Sequence, residues 1–291
     1  MDTTRTILKS FLQYKFRDKK NTIKDLKEFI WVLNHLTNCL HEYKTKIKSY
    51  QVNLEVLLVK AGFHGSTIAQ LFDGSDIITH KKRVVRFPDI SSIYVLVRGL
   101  IENYFMLYYL NFDITSDEQG IFRNLLYEAS GLNMRQGYDV KHKIGVEKKK
   151  REKGKLEKIK EEILNNKYFL SLPVKKQKEL IKKLPPRELG FEQLITKIGI
   201  LSKEFILLWK LSSNYAHSEY LSAIQITDYL KQKEDMEETM FSVLYQSLIV
   251  FALMIKDLVR NYKSIELTYN TLDSELRTKI DWWSDLAKKI K

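Results

Sequence analysis

The sequence predicts an all-α protein, a helical bundle with a long amphipathic N-terminal helix and a basic helical insertion. Only four of the 291 residues are proline, so long stretches of the chain lack the strongest helix breaker. Over most of these stretches apolar residues recur at spacings of three and four, which is the period of an amphipathic helix. Runs that alternate apolar and polar residues, which would predict strands, do not reach a useful length.

An N-terminal helical region is predicted over residues 1–87. Its main element is a long amphipathic helix that begins at Asn21 or Thr22 and stops near Gly62, since Asn and Thr are common N-caps and glycine is a common C-cap. A short helix that closes near Gly74 follows. A loop then leads to the proline at position 88, and this loop is the predicted boundary of the region.

The second region, 88–291, predicts the bundle itself. Residues 89–110 are hydrophobic around most of a helical circumference, which is typical of a central helix. Gly131 or Asn133 is expected to introduce a long basic helix, and a helical insertion is predicted at about 141–186. Further helices are expected over about 115–129, 190–200, 202–230, 234–262 and 264–291.

The net charge of +13 is concentrated in one segment. Between residues 141 and 183 there are sixteen Lys or Arg and six Glu, a net charge of +10. A concentrated basic segment attracts phosphate backbones. The side chains expected to bind nucleic acid are Lys148, Lys149, Lys150, Arg151 and Lys155. Glutamates are interleaved with them at helical spacing, which also describes a solvated surface helix, so both interpretations stay open.

Several classes of site lack their sequence signatures. There is no phosphate-binding glycine loop, dinucleotide fingerprint or Gly-x-Ser-x-Gly elbow. The six histidines form no i, i+4 pair and the single cysteine forms no CxxC, so neither a metal site nor a cofactor is expected. The charged start of the chain does not resemble a signal peptide, and the most apolar run, 248–255, is too short to span a membrane. We therefore expect a cytoplasmic protein without a membrane span.

Two polar groups interrupt apolar helices. Arg98 and Glu102 are four residues apart in the predicted 89–110 helix, which places them on one face within pairing distance. Gly99 beside them permits another helix to approach closely. A buried structural ion pair and a functional site are both compatible with this pattern.

The second polar group lies in the predicted 202–230 helix. Ser213 and His217 are four residues apart and share a face, with Lys210 and Asn214 nearby. Histidine titrates near neutral pH and can act as a general acid or base. A hydrogen-bonded core histidine is the alternative.

These segments resemble a bacterial helical family of unknown function that is itself similar to HEPN proteins. The resemblance rests on the Arg-x-x-x-Glu helix that ends in Leu-x-Tyr-Leu and on the later Ser-x-x-x-His helix, and it covers about 90–230 without the insertion. It implies a helical bundle, often a homodimer, and in many members a metal-independent RNase of toxin, antiphage or CRISPR-linked systems. In such proteins four to six residues separate an Arg from the catalytic His that follows it. Here Lys210 occupies the six-residue gap before His217, so Arg98 would have to supply the guanidinium.

Two hypotheses follow. In the first, the protein is an RNA-cleaving effector. His217 acts on a ribose 2′-hydroxyl, Arg98 or Lys210 stabilises the phosphorane, Glu102 orients Arg98, and the basic segment holds RNA. In the second, the protein is a non-catalytic module for a partner protein or nucleic acid. Arg98, Glu102, Ser213 and His217 then form a buried network that sets helix register.

Overall fold

A computed structural model describes residues 3–42, 45–78, 80, 84–200, 203–216, 220–231 and 233–289. Within these residues the chain forms fourteen helices and one two-stranded hairpin, so the predicted all-α class is confirmed. The elements are α1 (Thr3–Lys15), α2 (Lys19–Glu42), α3 (Leu54–Leu71), β1 (Ser75–Ile78), β2 (Val84–Phe87), α4 (Ile90–Asn111), α5 (Asp117–Gln136), α6 (Lys143–Asn165), α7 (Lys167–Ser171), α8 (Val174–Lys183), α9 (Phe191–Ile198), α10 (Lys203–Ala216), α11 (Tyr220–Lys231), α12 (Lys233–Asn261), α13 (Lys263–Thr271) and α14 (Ser274–Lys289).

The chain divides into two compact units. Unit 1 is Met1–Lys46, Glu55–Leu107 and Ile195–Lys291, and unit 2 is Ile47–Leu54 and Tyr108–Leu194. These units do not coincide with the predicted boundary at 87/88, because α2 packs along α12 within unit 1. The predicted insertion at about 141–186 lies inside unit 2, which also contains α5.

Unit 1 is organised around α12. Five consecutive residues of this helix, 248–252, have no exposed surface, as expected of a helix surrounded by others. Helices α2, α13 and α14 pack against α12. The buried residues of α2 recur at the predicted spacing of three and four: Leu26, Phe29, Ile30, Leu33, Leu36 and Leu40.

The segment between Gly74 and Pro88 contains a β-hairpin where the sequence predicts a loop. Strands β1 and β2 are antiparallel, with Asp76 opposite Arg86. Arg86 Nε donates a hydrogen bond to Asp76 Oδ1 across the pair at 2.8 Å. Each strand has only four residues. A run of this length carries too little alternation to predict a strand from sequence alone.

The predicted N-terminal helix consists of two helices. α2 ends at Glu42 and α3 begins at Leu54, while Gly62, the predicted stop, lies inside α3. A Cβ at Gly62 would clash with the side-chain amide of Asn34 on α2. This glycine therefore permits close packing of two helices and does not terminate one.

The basic helix begins later than the sequence predicts. Helix α5 continues past Gly131 to Gln136, and α6 begins at Lys143. His142 caps α6, because its Nδ1 accepts a hydrogen bond from the Gly145 N–H at 3.1 Å. Histidine is not among the common N-caps, so this start has no clear sequence signature.

Gly65 is the point where α3 packs most tightly on its neighbours. A Cβ at this position would lie 2.8 Å from Phe251 Cε2 and 2.9 Å from Ile30 Cγ1. We expect Gly65→Ala to lower the free energy of unfolding by about 1–3 kcal/mol, because the helices must move apart to admit a methyl group. Urea unfolding measures this change.

Gly154→Ala in α6 is the matched control for Gly65→Ala. No atom lies within 4 Å of a Cβ at Gly154. The control should be as stable as the wild type or more stable by up to about 1 kcal/mol, because alanine favours a helix over glycine. A Gly65→Ala protein with wild-type stability would contradict the close packing.

Unit 2 has a hydrophobic core beneath its basic helices. The buried residues of α6, Leu156, Ile159 and Ile163, recur at helical spacing and leave the charged face in solvent. Helix α5 packs along α6, while α7 and α8 contribute Phe169 and Leu180 to the same core. The basic segment is therefore part of a compact unit with its own core.

Arg123 on α5 lies at the centre of a buried polar network in unit 2. The Arg123 side chain is 2% exposed and that of Glu188 is 1% exposed. Arg123 Nε donates to Glu188 Oε1 at 3.1 Å, and Nη1 donates to Asp113 Oδ2 at 3.1 Å. Nη1 also donates to the backbone carbonyl of Tyr109 at 2.9 Å. The guanidinium carbon lies 4.2 Å from the centre of the Tyr109 ring. The Tyr168 hydroxyl donates to Glu188 Oε1 at 3.0 Å.

Among the residues that the structure describes, two helices have the length and composition of a membrane-spanning helix. They are α4 and the part of α12 from Glu238 to Asn261. Within the protein, 56% of the apolar window of α4 and 83% of that of α12 are buried. Core helices of folded proteins pass the same test, so the absence of a membrane span stays a prediction.

Candidate functional site

Helix α4 presents Arg98 and Glu102 on one face, because residues four apart lie one turn from each other. Arg98 Nε donates a hydrogen bond to Glu102 Oε1 at 2.9 Å. The two side chains are 23% and 32% exposed. The ion pair is therefore accessible to solvent and is not sealed inside the core.

One nitrogen of the Arg98 guanidinium has no hydrogen-bond acceptor among the described residues. This nitrogen, Nη1, is buried, and no group in the described part of the chain accepts a hydrogen bond from it. Leaving a buried donor unsatisfied costs about 1–3 kcal/mol, so such donors are rare in folded proteins. With Nε held by Glu102 and Nη1 buried, a ligand from solvent can meet only the exposed part of the side chain, which is 23% of its surface.

Helix α10 packs against α4 through aromatic rings. Tyr94 on α4 stacks on Tyr215 of α10 with ring centres 4.2 Å apart. Phe105 on α4 meets the edge of Trp209 on α10 with ring centres 6.1 Å apart. Because the earlier residue on α4 contacts the later one on α10, the two helices run antiparallel.

Four of the five predicted site residues lie at the same level of these two helices. Arg98 and Glu102 are between the ring contacts on α4, and Lys210 and Ser213 are between them on α10. Lys210 is exposed and Ser213 is half-buried. His217 lies outside the described residues. The contacts thus bring the two polar segments onto neighbouring helices.

His64 on α3 is a candidate that the sequence analysis missed. A Cβ at Gly99 would lie 3.0 Å from the imidazole Cε1, so this glycine lets the ring pack directly on α4 next to Arg98. His64 Nδ1 is buried and has no hydrogen-bond partner within the described ranges. The sequence indicated that another helix could pack closely at Gly99. It did not indicate that the residue packed there would be His64.

The surroundings of His64 favour the neutral imidazole. Burial lowers the pKa of His64 below its ordinary 6.5, and the ammonium of Lys60 lowers it further. A neutral ring has one acceptor nitrogen and can accept a proton. His64 is therefore held as a neutral ring beside Arg98.

The predicted nucleic-acid-binding residues lie on α6 of unit 2. Lys148, Lys150 and Arg151 are exposed. Lys149 Nζ donates to a backbone carbonyl at 2.7 Å, and Lys155 forms an ion pair with a glutamate of α5. Three of the five side chains are thus directed to solvent, and two are engaged within the unit.

A metal centre has no support from the described side chains. Among them, no group of three or more His, Cys, Asp or Glu residues could hold an ion. The expectation that the protein needs neither metal nor cofactor stays a prediction, because part of the chain lies outside the described ranges.

Comparisons with known proteins leave the family of this chain open. No family model, no curated protein and no solved structure matches it. The resemblance to HEPN-like proteins therefore stays an expectation, and the functional argument depends on the residues themselves.

Proposed function

We propose that this chain is a HEPN-like protein that cleaves RNA without a metal ion, as an effector of a bacterial toxin or antiphage defence system. The observation that carries the proposal is the Arg98–Glu102 pair, in which Glu102 holds Nε and both side chains keep part of their surface in solvent. A guanidinium oriented in this way suits a phosphate oxygen. Arg98 lies on the helix that packs against α10, and His217, the proposed general base, follows α10 in the sequence.

The proposed reaction is an internal attack by the ribose. His217 removes the proton of a 2′-hydroxyl, and the oxygen attacks the adjacent phosphorus. The bond to the 5′-oxygen breaks and this oxygen takes a proton from water, which gives a 2′,3′-cyclic phosphate and a 5′-hydroxyl. Arg98 stabilises the charge on the phosphorane, Glu102 keeps the guanidinium in place, and Lys210 adds positive charge. Ser213 supplies a further hydrogen bond from α10.

Unit 2 supplies the proposed RNA-binding surface. The exposed side chains of Lys148, Lys150 and Arg151 on α6 neutralise backbone phosphates without reading bases. Binding through such contacts weakens as salt rises, because phosphate binding releases condensed counterions. This surface and the Arg98 region are separate parts of the proposal.

Cleavage of single-stranded RNA by the purified full-length chain, in the presence of a metal chelator, tests the proposal. We expect His217→Ala and Arg98→Ala each to lower the cleavage rate by roughly a hundredfold or more, since each removes a group that acts in the transition state. The expected products end in a 2′,3′-cyclic phosphate. Gel analysis of labelled RNA measures both the rate and the end group.

Arg86→Ala is the matched control, because Arg86 also pairs with a carboxylate but lies exposed on β2. It should cleave at the wild-type rate. Replacing Lys148, Lys150 and Arg151 by Gln should weaken RNA binding. The rate at which bound RNA is cleaved should stay unchanged. A His217→Ala protein that cleaves RNA as well as the wild type would refute the assignment.

A non-catalytic binding module is the second candidate. It is favoured by two polar side chains, one on α4 and one on α10, that find their partners on their own helix. Arg98 pairs with Glu102, and the buried Ser212 hydroxyl donates to the Leu208 carbonyl at 2.7 Å. Under this alternative His217→Ala lowers the melting temperature by several degrees, and no variant changes the integrity of RNA.

A further inference from the structure

Helix α1 exposes most of its large apolar side chains. Ile7, Leu8, Phe11, Leu12 and the following Phe16 are 42%, 54%, 45%, 39% and 72% exposed. Their spacing places 7 and 11 in one row and 8, 12 and 16 in the next, so they form a continuous strip. We call these five residues the α1 apolar surface. Contiguous exposed apolar side chains mark binding sites more often than isolated ones do.

The opposite face of α1 faces the protein, although it is the polar one. Thr6 and Ser10 are 4% and 1% exposed. Helix α1 packs on α14, and Tyr14 stacks on Tyr245 of α12 with ring centres 4.9 Å apart. The fold therefore uses the polar face of α1 for internal packing and leaves the apolar face to solvent. Internal packing gives no reason for these apolar side chains.

The charged side chains on α1 itself are all basic, although acidic side chains of neighbouring segments, such as Asp18, Glu275 and Asp285, lie beside the α1 apolar surface. From Thr3 to Arg17 the chain has four basic residues, Arg5, Lys9, Lys15 and Arg17, and no acidic one. All four are exposed. Lys9 and Arg17 form ion pairs with glutamates but keep 65% and 54% of their side chains in solvent. The long stems of these side chains let the charges extend beyond the apolar rows.

We propose that the α1 apolar surface docks on an anionic lipid membrane. An apolar strip bordered by Lys and Arg fits the boundary between acyl chains and anionic headgroups, where both kinds of side chain find partners. A second copy of this chain fits less well, because packing α1 on α1 would bring two wholly basic helices together. RNA would supply phosphates for the basic side chains, but it would give the five apolar side chains no apolar environment. This inference is independent of the proposed RNA cleavage.

Co-sedimentation of the full chain with lipid vesicles tests the inference. We expect the protein to bind vesicles of phosphatidylcholine and phosphatidylglycerol in equal parts, and not vesicles of phosphatidylcholine alone. The double variant Phe11→Ser with Phe16→Ser should lower the apparent vesicle affinity by roughly tenfold or more, since it removes two large apolar contacts. Arg5→Gln with Lys15→Gln should lower binding to the anionic vesicles as well.

Phe63→Ser is the matched control, because Phe63 on α3 is 70% exposed and lies outside the α1 apolar surface. It should bind vesicles like the wild type. Circular dichroism verifies that each variant is folded, which is expected because all the substituted side chains are exposed. Failure of the wild type to bind anionic vesicles, or equal binding by the Phe11/Phe16 variant, overturns the inference. A dimer in light scattering that only the Phe11/Phe16 variant disrupts assigns the surface to a second copy and also overturns it.

Discussion

Arg123→Met should lower the free energy of unfolding of unit 2 by about 3–5 kcal/mol. The substitution removes the guanidinium that satisfies Glu188 and Asp113, and Glu188 is 1% exposed. A buried carboxylate that loses its hydrogen-bonded cation keeps its desolvation cost and loses most of its attraction, since Lys176 Nζ remains only as a partly exposed charge 3.6 Å from Glu188 Oε2. The cation–π contact with the Tyr109 ring is lost as well. Urea unfolding followed by circular dichroism measures the change.

Arg135→Met provides the control on the same helix. Arg135 Nη2 pairs with Glu152 Oε1 at 3.0 Å, but its side chain is 43% exposed. Exposed ion pairs contribute about 0–1 kcal/mol, so this variant should unfold almost like the wild type. An equally small loss of stability in both variants would contradict the prediction. It would mean that the Arg123 network contributes little to holding α4, α5 and the segment after α8 together.

Removing the charge of Asp257 in unit 1 is expected to raise stability, whereas removing the charge of Arg123 is expected to lower it. The residue is 5% exposed, and its Oδ2 accepts a hydrogen bond from the Tyr104 hydroxyl at 2.9 Å. Arg260 Nη1 lies 3.4 Å from Oδ1, and Lys288 contributes a weaker favourable charge. Burial outweighs these contacts and raises the pKa of Asp257 from 3.8 to about 6.

Asp257→Asn should therefore stabilise the protein near neutral pH, by about 2 kcal/mol. The folded protein binds the Asp257 proton more tightly than the unfolded chain does. The ionised carboxylate therefore lowers stability by its full amount above about pH 6. This loss disappears as the pH falls towards about 4, where the carboxyl is protonated in both states. The asparagine accepts the same Tyr104 hydrogen bond without a charge. Thermal unfolding of both proteins over this pH range measures the difference.

Asp281→Asn is the matched control for Asp257→Asn. Asp281 pairs with Lys256 at 2.5 Å, and its side chain is 51% exposed. Its replacement should change stability by less than about 1 kcal/mol at any of these pH values. An Asp257→Asn protein that is less stable than the wild type at neutral pH would mean that the charge contact with Arg260 outweighs burial.

Regular amphipathic helices could be predicted from the sequence, because their signal is local. The buried stripe of α2 and the apolar character of α4 both follow from spacing alone. The glycines were less informative. Gly62 and Gly65 lie inside α3, where they face side chains distant in sequence, and local reasoning assigned Gly62 to a helix end. The short hairpin was missed because four-residue strands carry almost no periodic signal.

The candidate site could be predicted in part. The Arg98–Glu102 pair follows from i, i+4 spacing, and the ring contacts of Tyr94 with Tyr215 place α10 beside α4. The contribution of His64 could not be predicted, because α3 and α4 are brought together by packing and not by any shared motif. The same holds for Arg123, whose partners Asp113 and Glu188 lie on different segments.

The sequence by itself determined the helical class, the amphipathic faces of helices such as α2 and α6, and the clustering of positive charge, because each depends on residues within a few turns. Only the tertiary structure decided which faces are covered. It buries the polar face of α1 and exposes Phe11 and Phe16, and it leaves the Arg98–Glu102 pair accessible while sealing Arg123. Burial is set by neighbours that are distant in the chain, and no local pattern records which neighbour arrives.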